Sequence, residues 1–369
     1  MQLNQLLEQM VARDASDLFI SAGLAPSAKV DGELTPLADT KLTAEQALEL
    51  AHQAMNDKQR QQFADEQEAN FAISRDGVGR FRVSAFWQRQ QAGMVIRRIV
   101  TDIPSVESLG LPDILTKVIM AKRGLVLVVG GTGTGKSTSL AALLGHRNHH
   151  SKGHILTIED PIEFVHEHGG CMITQREVGT DTESFESALK SSLRQAPDVI
   201  LVGEIRSQEV MEYALTFAET GHLCVATLHA NNANQAIERI MHLVPKEKVG
   251  KLMFDLSLNL RAIVAQQLLP SAGGGRVAAI EILLNSPIIA EKIATGDMGD
   301  IKEIMAKSKE LGMQTFDQAL YALYKNKRIT LEDALRHADA PNDLRLQVKL
   351  SGENPGGGDT LAGATVDLD

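Results

Sequence analysis

Apolar residues near the start of the chain recur at helical spacing. Leu3, Leu6, Leu7, Met10 and Val11 share one face of a predicted helix over 1–13. Alternating or short apolar runs then predict strands over 17–20 and 27–30, with Asp31-Gly32 as a hairpin turn. Thr43 followed by Gln46 has the spacing of a capping box and opens a predicted helix reaching Met55. Three more strands are expected over 71–74, 81–87 and 94–99, with Gly77 and Gly79 in the first connection. Residues 1–100 therefore read as a small α+β domain, a strand-rich sheet with helices on one side.

Pro104 and its polar neighbours interrupt the pattern, which places a linker at 101–111. Beyond it the period changes. Continuous apolar runs at Gly124–Val129, 154–158, 198–202 and 222–227 alternate with helical patterns that begin at Lys136, near Glu183 and at Gln208. Runs of this kind belong to parallel strands buried on both faces. The expected fold class is α/β, and from Asn231 onward helices are expected to dominate, among them 311–324 and 330–337. This second domain is assigned to 112–350. The stretch 351–369 holds four acidic residues, no basic ones and glycines at 356–358, and is expected to be a disordered acidic tail. No internal repeat is visible.

Composition narrows the classes. A chain of 369 residues suits two domains of about 100–200 residues each. The net charge of −10 argues against coating nucleic acid by bulk charge. No apolar run approaches the roughly 20 residues needed to cross a bilayer, and the N-terminus lacks the pattern of a signal peptide. The two cysteines, Cys171 and Cys224, are too few for a disulfide framework or a four-cysteine zinc site, so a reducing cytoplasm is the expected location.

The strongest chemical signal is Gly130-Gly131-Thr132-Gly133-Thr134-Gly135-Lys136-Ser137, which satisfies G-x-x-x-x-G-K-[ST] between a predicted buried strand and a predicted helix. Glycines let the main chain wrap closely, so that N–H groups and a helix N-terminus face a phosphate. Lys136 would counter β- and γ-phosphate charge, and Ser137, with Thr138 beside it, would approach Mg²⁺. A nucleotide hydrolase also needs a carboxylate near the metal and a group that activates water. Two acidic strand ends follow the loop: Glu204, and the cluster Glu159-Asp160-Pro161-Ile162-Glu163. His222 and His229 flank the strand at 223–227, with His229 placed where a γ-phosphate sensor could lie. His146, His149, His150 and His154 have helical spacing that permits metal binding, but they sit at a helix end and read as solvated.

Taken in order, the phosphate loop, Ile158-Glu159-Asp160-Pro161-Ile162-Glu163-Phe164, Gln175-Arg176-Glu177-Val178-Gly179, Gly203-Glu204-Ile205-Arg206 and Thr227-Leu228-His229-Ala230 resemble the secretion ATPases. The closest likeness is to the PilT/PilU family of type IV pilus retraction ATPases, over roughly residues 15–317. The resemblance implies a homohexameric ring of two-domain chains, a PAS-like N-terminal domain and a RecA-like ATPase domain, with ATP and Mg²⁺ as cofactors. It implies Glu163 as the catalytic glutamate, Glu204 as the Walker B acid, and His222 and His229 as the histidine box. It also implies that Arg82 and Arg97 are the N-domain arginines that reach the phosphates. Strand alternation lets only one of Arg97 and Arg98 point inward. Implied partners are a PilT-like retraction ATPase and an inner-membrane pilus platform protein, with no nucleic acid and no direct membrane insertion.

Two departures refine this. The Ala-Ile-Arg-Asn-Leu-Ile-Arg-Glu segment of the retraction motors is replaced by Ser286-Pro287-Ile288-Ile289-Ala290-Glu291-Lys292-Ile293-Ala294, and Phe19 stands where they carry histidine. The first departure, with the acidic tail, points to the accessory PilU branch. Competing readings are a DNA-translocating ring ATPase and a non-motor scaffold that modulates PilT.

Overall fold

A computed structural model describes residues 2–30, 32–99 and 102–351. Asp31 of the expected hairpin turn, Thr101 of the expected linker and 352–369 of the expected acidic tail lie outside the described residues. The chain divides into two compact units. The first comprises Met1–Ser108, Leu115–Leu125 and Ser137–Thr227; the second comprises Leu109–Ile114, Val126–Lys136 and Leu228–Asp369.

The first unit opens with a six-stranded antiparallel sheet made of β1 (Asp17–Ser21), β2 (Ser27–Val30), β3 (Glu33–Pro36), β4 (Glu68–Arg75), β5 (Gly79–Gln88) and β6 (Gln91–Ile99). Its order is β3-β2-β1-β6-β5-β4. Period-2 alternation buries Phe81, Val83 and Ala85 of β5 and turns Arg80, Arg82 and Ser84 to the other face. Helices Leu3–Ala12 and Ala44–Ala54 pack on the buried side, and the first contributes Leu3, Leu6, Leu7 and Met10 to the core as its spacing predicts. The Thr43–Gln46 capping box forms. Asn56 and Gln59 form a second one, opening helix Asp57–Glu66. The apolar pattern does not predict this helix, because it buries only Phe63 and so lacks an apolar stripe.

The rest of the first unit is α/β. Strands β8 (Gly153–Glu159), β9 (Cys171–Glu177), β10 (Val199–Val202) and β11 (Leu223–Leu228) run parallel in the order β11-β10-β8-β9. Helices Lys136–His150, Phe185–Ser192 and Gln208–Glu219 intervene. Every residue of β10 is buried, as a strand covered on both faces requires. β9 is the exception to that pattern. Met172 is exposed and the polar Thr174, Gln175 and Arg176 are half-buried, so it carries no continuous apolar run.

The second unit holds β7 (Gly124–Val129) from Val126 on, together with β12 (Leu260–Pro270) and β13 (Arg276–Leu284), in the order β13-β12-β7. All six residues of β7 are buried, each large side chain contributing about 1.5–3 kcal/mol. Helices do dominate after Asn231, but the apolar pattern leaves out β12 and β13, which form a long antiparallel hairpin from Ala262↔Leu284 to Pro270↔Arg276. Continuous apolar runs do not distinguish a buried strand from a buried helix by period. The deciding signal is Gly273-Gly274-Gly275, whose last two residues have φ of +88° and +72° at the hairpin turn. Helices Phe316–Lys325, Leu331–His337 and Pro341–Leu350 follow, the first packed on β13.

Candidate functional site

The phosphate loop leaves the end of β7 and closes into helix Lys136–His150. Its backbone is crowded from behind by β12. A Cβ on Gly130 would stand 2.6 Å from the Gln266 carbonyl oxygen, and one on Gly135, where φ is +84°, would stand 2.9 Å from Gln266 Nε2. Neither position tolerates a side chain. Thr134 Oγ1 donates to the Gly131 carbonyl at 3.0 Å, and the Lys136 ammonium donates to the carbonyls of Gly130 and Gly131 at 2.8 Å each. Thr132 and Gly133 stand exposed at the tip, whereas Ser137 and Thr138 are half-buried in the first helical turn.

In the same unit, Gly131 and His229 line one cavity of about 540 Å³. Its other wall is helix Ala233–Met241 and the turn that follows, which supply Gln235, Glu238, Arg239 and His242. The helix is fixed at its start by Asn232, whose side chain accepts from Gln235 N, and by Glu281, buried in β13, whose carboxylate accepts from Ala233 N at 2.8 Å. These wall residues belong to no motif, and nothing in their spacing singles them out.

The acidic residues cluster in the first unit. Glu159 ends β8, accepts from Thr157 Oγ1 at 2.6 Å and from Gln175 Nε2 at 3.2 Å, and takes a hydrogen bond from the Glu163 backbone. Burial raises its pKa, and the nearby Glu163 charge adds to the rise. Glu163 itself is exposed, four residues on, past the cis Asp160-Pro161 bond. Glu204 follows β10, 15 % exposed at its side chain, and binds Arg206 at 2.6 Å. Arg206 also lies 3.7 Å from Asp160. Donating to the Glu204 carboxylate raises the pKa of Arg206.

One ion pair reaches this cluster from the antiparallel sheet. Arg80 on β5 donates to Glu177 at 2.7 Å, and the same Glu177 oxygen accepts from Ile162 N at 3.1 Å, one residue before Glu163. In the sequence, Glu177 lies inside the Gln175–Gly179 motif with no role of its own, and Arg80 stands only as a neighbour of Arg82. Nothing in the spacing signals that a residue on β5 meets one on β9.

Arg82 and Arg97 are direct cross-strand neighbours on one exposed face, in register with Asp17 on β1. Arg97 donates to Asp17 at 2.8 Å. Burial opposes ionisation of Asp17, yet the Arg97 and Ser16 hydrogen bonds hold its pKa below the usual carboxylate value. Arg98 points to the other side and pairs with Asp14 at 2.8 Å. Like charges facing each other across strands repel, and the Asp17 carboxylate beside Arg97 offsets part of that repulsion. His222 is engaged locally by Thr220 Oγ1 and the Phe217 carbonyl. The helix-end histidines separate. His154 bonds Gln195 O and Thr174 Oγ1, whereas His146, His149 and His150 line a cavity of about 980 Å³ with His166 and His168. Among the described residues no group of three or more His, Cys, Asp or Glu is arranged to hold a metal ion. No helix among them is long and apolar enough to cross a membrane.

Residues 1–273 match the family described as Type II/IV secretion system protein. The type IV pilus ATPase PilU of Pseudomonas aeruginosa is 59 % identical over 355 residues, covering 96 % of this chain and 93 % of that protein. The type IV pilus retractation ATPase PilT of the same organism is 43 % identical over 344 residues, covering 93 % and 100 %. A crystal structure of the pilus retraction motor PilT with bound ADP superimposes with a TM-score of 0.87 at 39 % identity, covering 94 % of this chain and 99 % of that one. The chain belongs to the Type II/IV secretion system protein family, in its PilT/PilU group of ATPases. It is a nucleotide-binding ATP hydrolase, and the fold class and family expected from sequence are both borne out.

Proposed function

We propose that this chain is a motor ATPase of type IV pilus retraction, acting with a PilT-like partner rather than alone. The observation that carries the reading is 59 % identity to PilU along nearly the whole chain, with an intact phosphate loop in its strand-to-helix setting. Six copies would form a ring at the cytoplasmic face of the inner membrane, held there by a pilus platform protein. Residues 1–100 would serve as the PAS-like domain and 112–350 as the RecA-like motor domain.

In this reading the backbone N–H groups from Gly130, Gly131, Thr132, Gly133, Thr134 and Gly135 cradle the phosphates, and Lys136 exchanges its carbonyl partners for phosphate oxygens. Mg²⁺, when bound, would supply neutralisation of phosphate charge. The donor set fits such a hard cation, because Ser137, with Thr138 next in the turn, and Glu204 offer only oxygen. Glu163 is exposed, free to accept a proton from water, and hung from the Glu159 carboxylate through its own backbone N–H. Arg206 orients Glu204. Arg82 and Arg97 supply the positive charge that stabilises the transferred phosphoryl group. His229 reports the γ-phosphate from the cavity it shares with Gly131, and His222 supports its strand from the opposite end.

The test is pilus retraction in live cells carrying this chain or its Lys136→Ala variant, each with and without a PilT partner. Retraction that needs both the partner and intact Lys136 supports a dependent motor. Retraction by this chain alone rejects dependence, and full retraction with Lys136→Ala rejects a motor in favour of a scaffold.

A further inference from the structure

The glycines of a phosphate loop are ordinarily explained by the ligand in front of them. In this chain two of them are also crowded from behind, Gly130 by the Gln266 main chain as well as by Thr134 Oγ1, and Gly135 by the Gln266 side chain. Gln266 sits in the middle of β12 and is 2 % exposed. Its Nε2 donates to the Thr134 carbonyl oxygen at 2.8 Å, while its main-chain carbonyl oxygen and Nε2 occupy the space that Cβ atoms at Gly130 and Gly135 would need. Both the loop and β12 lie in the second unit.

The Thr134 carbonyl belongs to the same peptide plane as the Gly135 N–H. In a trans peptide these two groups point in opposite directions. Holding the carbonyl toward β12 therefore turns the Gly135 N–H away from β12. Gly135 has no side chain to restrain that plane, and its φ of +84° lies where glycine rotates freely. Without an anchor the plane can flip and present a carbonyl, with its partial negative charge, on the side where the N–H belongs.

We propose that Gln266 is a positioning residue for nucleotide binding: its side-chain amide locks the Thr134–Gly135 peptide so that the Gly135 N–H is preset as a phosphate donor. The inference rests on the phosphate-loop reading above and extends it to a residue outside every motif. Preset donors cost no reorganisation on binding, so the effect falls on affinity for the phosphates rather than on the chemical step.

The experiment measures affinity for a fluorescent ADP, kcat at saturating ATP and the thermal midpoint. It uses the full-length chain, Gln266→Met, Gln266→Glu, and Gln267→Met as a neighbour on the opposite face of β12. Gln266→Met keeps length and volume but cannot donate, and is expected to weaken ADP binding about tenfold with kcat within about twofold of wild type. Gln266→Glu should bind more weakly still, since a carboxylate cannot donate to the carbonyl and repels phosphate. Gln267→Met should match wild type. Wild-type affinity in both Gln266 variants overturns the proposal, as does a loss of kcat with ADP affinity unchanged. If Gln266→Met fails to fold, Gln266→Leu, uncharged and equally unable to donate, takes its place with the same expected loss and the same overturning result. Loss of ADP binding in Lys136→Ala, measured alongside, tests the loop as the nucleotide site, so failure of that reading is seen separately.

Discussion

Arg80 and Glu177 show how much a single pair can hold. Glu177 is 3 % exposed and bonds Arg80, Ile162 N and Thr180 Oγ1 at once. Removing one member of a buried pair strands the other charge, a loss of about 3–5 kcal/mol. Arg80→Met should lower the thermal midpoint sharply and slow hydrolysis, because Ile162 precedes Glu163. Adding Glu177→Met should recover most of the stability but not the activity, a split that calorimetry and an ATPase assay together would reveal. Glu281 behaves differently. Burial raises its pKa to about 6, although it accepts hydrogen bonds from Ala233 N and Phe316 N. A carboxyl whose pKa is higher folded than unfolded binds the proton more tightly in the native state. Its stabilising contribution is then complete below about pH 4.3 and is lost as pH rises through about 6. Wild type minus Glu281→Gln, compared by urea unfolding near pH 4.5 and pH 7.5, should favour wild type more strongly at the acid end, by about 2 kcal/mol. A difference that does not change with pH would remove Glu281 as the titrating group.

At the level of elements, Asn148 takes the place of a missing turn. It lies near the end of helix Lys136–His150, where its Oδ1 accepts from Gly169 N and Cys171 N at 3.1 Å each and its Nδ2 donates to the Glu167 carbonyl at 2.9 Å. That clasp seats the start of β9 and the segment running back toward Glu163. Asn148→Ala should remove three hydrogen bonds to backbone groups of this segment, and amide exchange over 165–173 should quicken by an order of magnitude or more while the antiparallel sheet stays protected. Elements with one strong periodic signal are legible from sequence, as are those with a cap: the first helix, β7, β10 and the helix after Thr43. Helix Asp57–Glu66, β9 and the β12–β13 hairpin are not, because their side chains are mostly polar or their apolar runs fit two periods equally. Period fails there, and the turn glycines at 273–275 mark the hairpin only once the two flanking strands are seen to pair.

At the scale of the molecule, the phosphate loop, the two acidic strand ends and the histidine-flanked strand are all legible in the residue string, since their residue types follow from phosphate chemistry. What sequence does not supply is support from a distance. Gln266 lies 132 residues from Thr134, Arg80 lies 97 from Glu177, and Glu281 lies 48 from Ala233. Residues that brace a site are chosen by where the chain returns, and that is a property of the fold rather than of the local string.

The double hold of Glu281 on the first residues of helices Ala233–Met241 and Phe316–Lys325 also sets where the polypeptide can end. Just before the second helix, Gln314 adds a backbone bridge to Ile282 on β13 and a side-chain bond to Ile280. A shortened protein stopping before Gln314 would bare that strand edge and deprive a buried carboxylate of one of its two donors. The helix beside His229 would then rest on half an anchor. Helix Phe316–Lys325 is thus no detachable appendage, and a minimal catalytic fragment has to be cut beyond it.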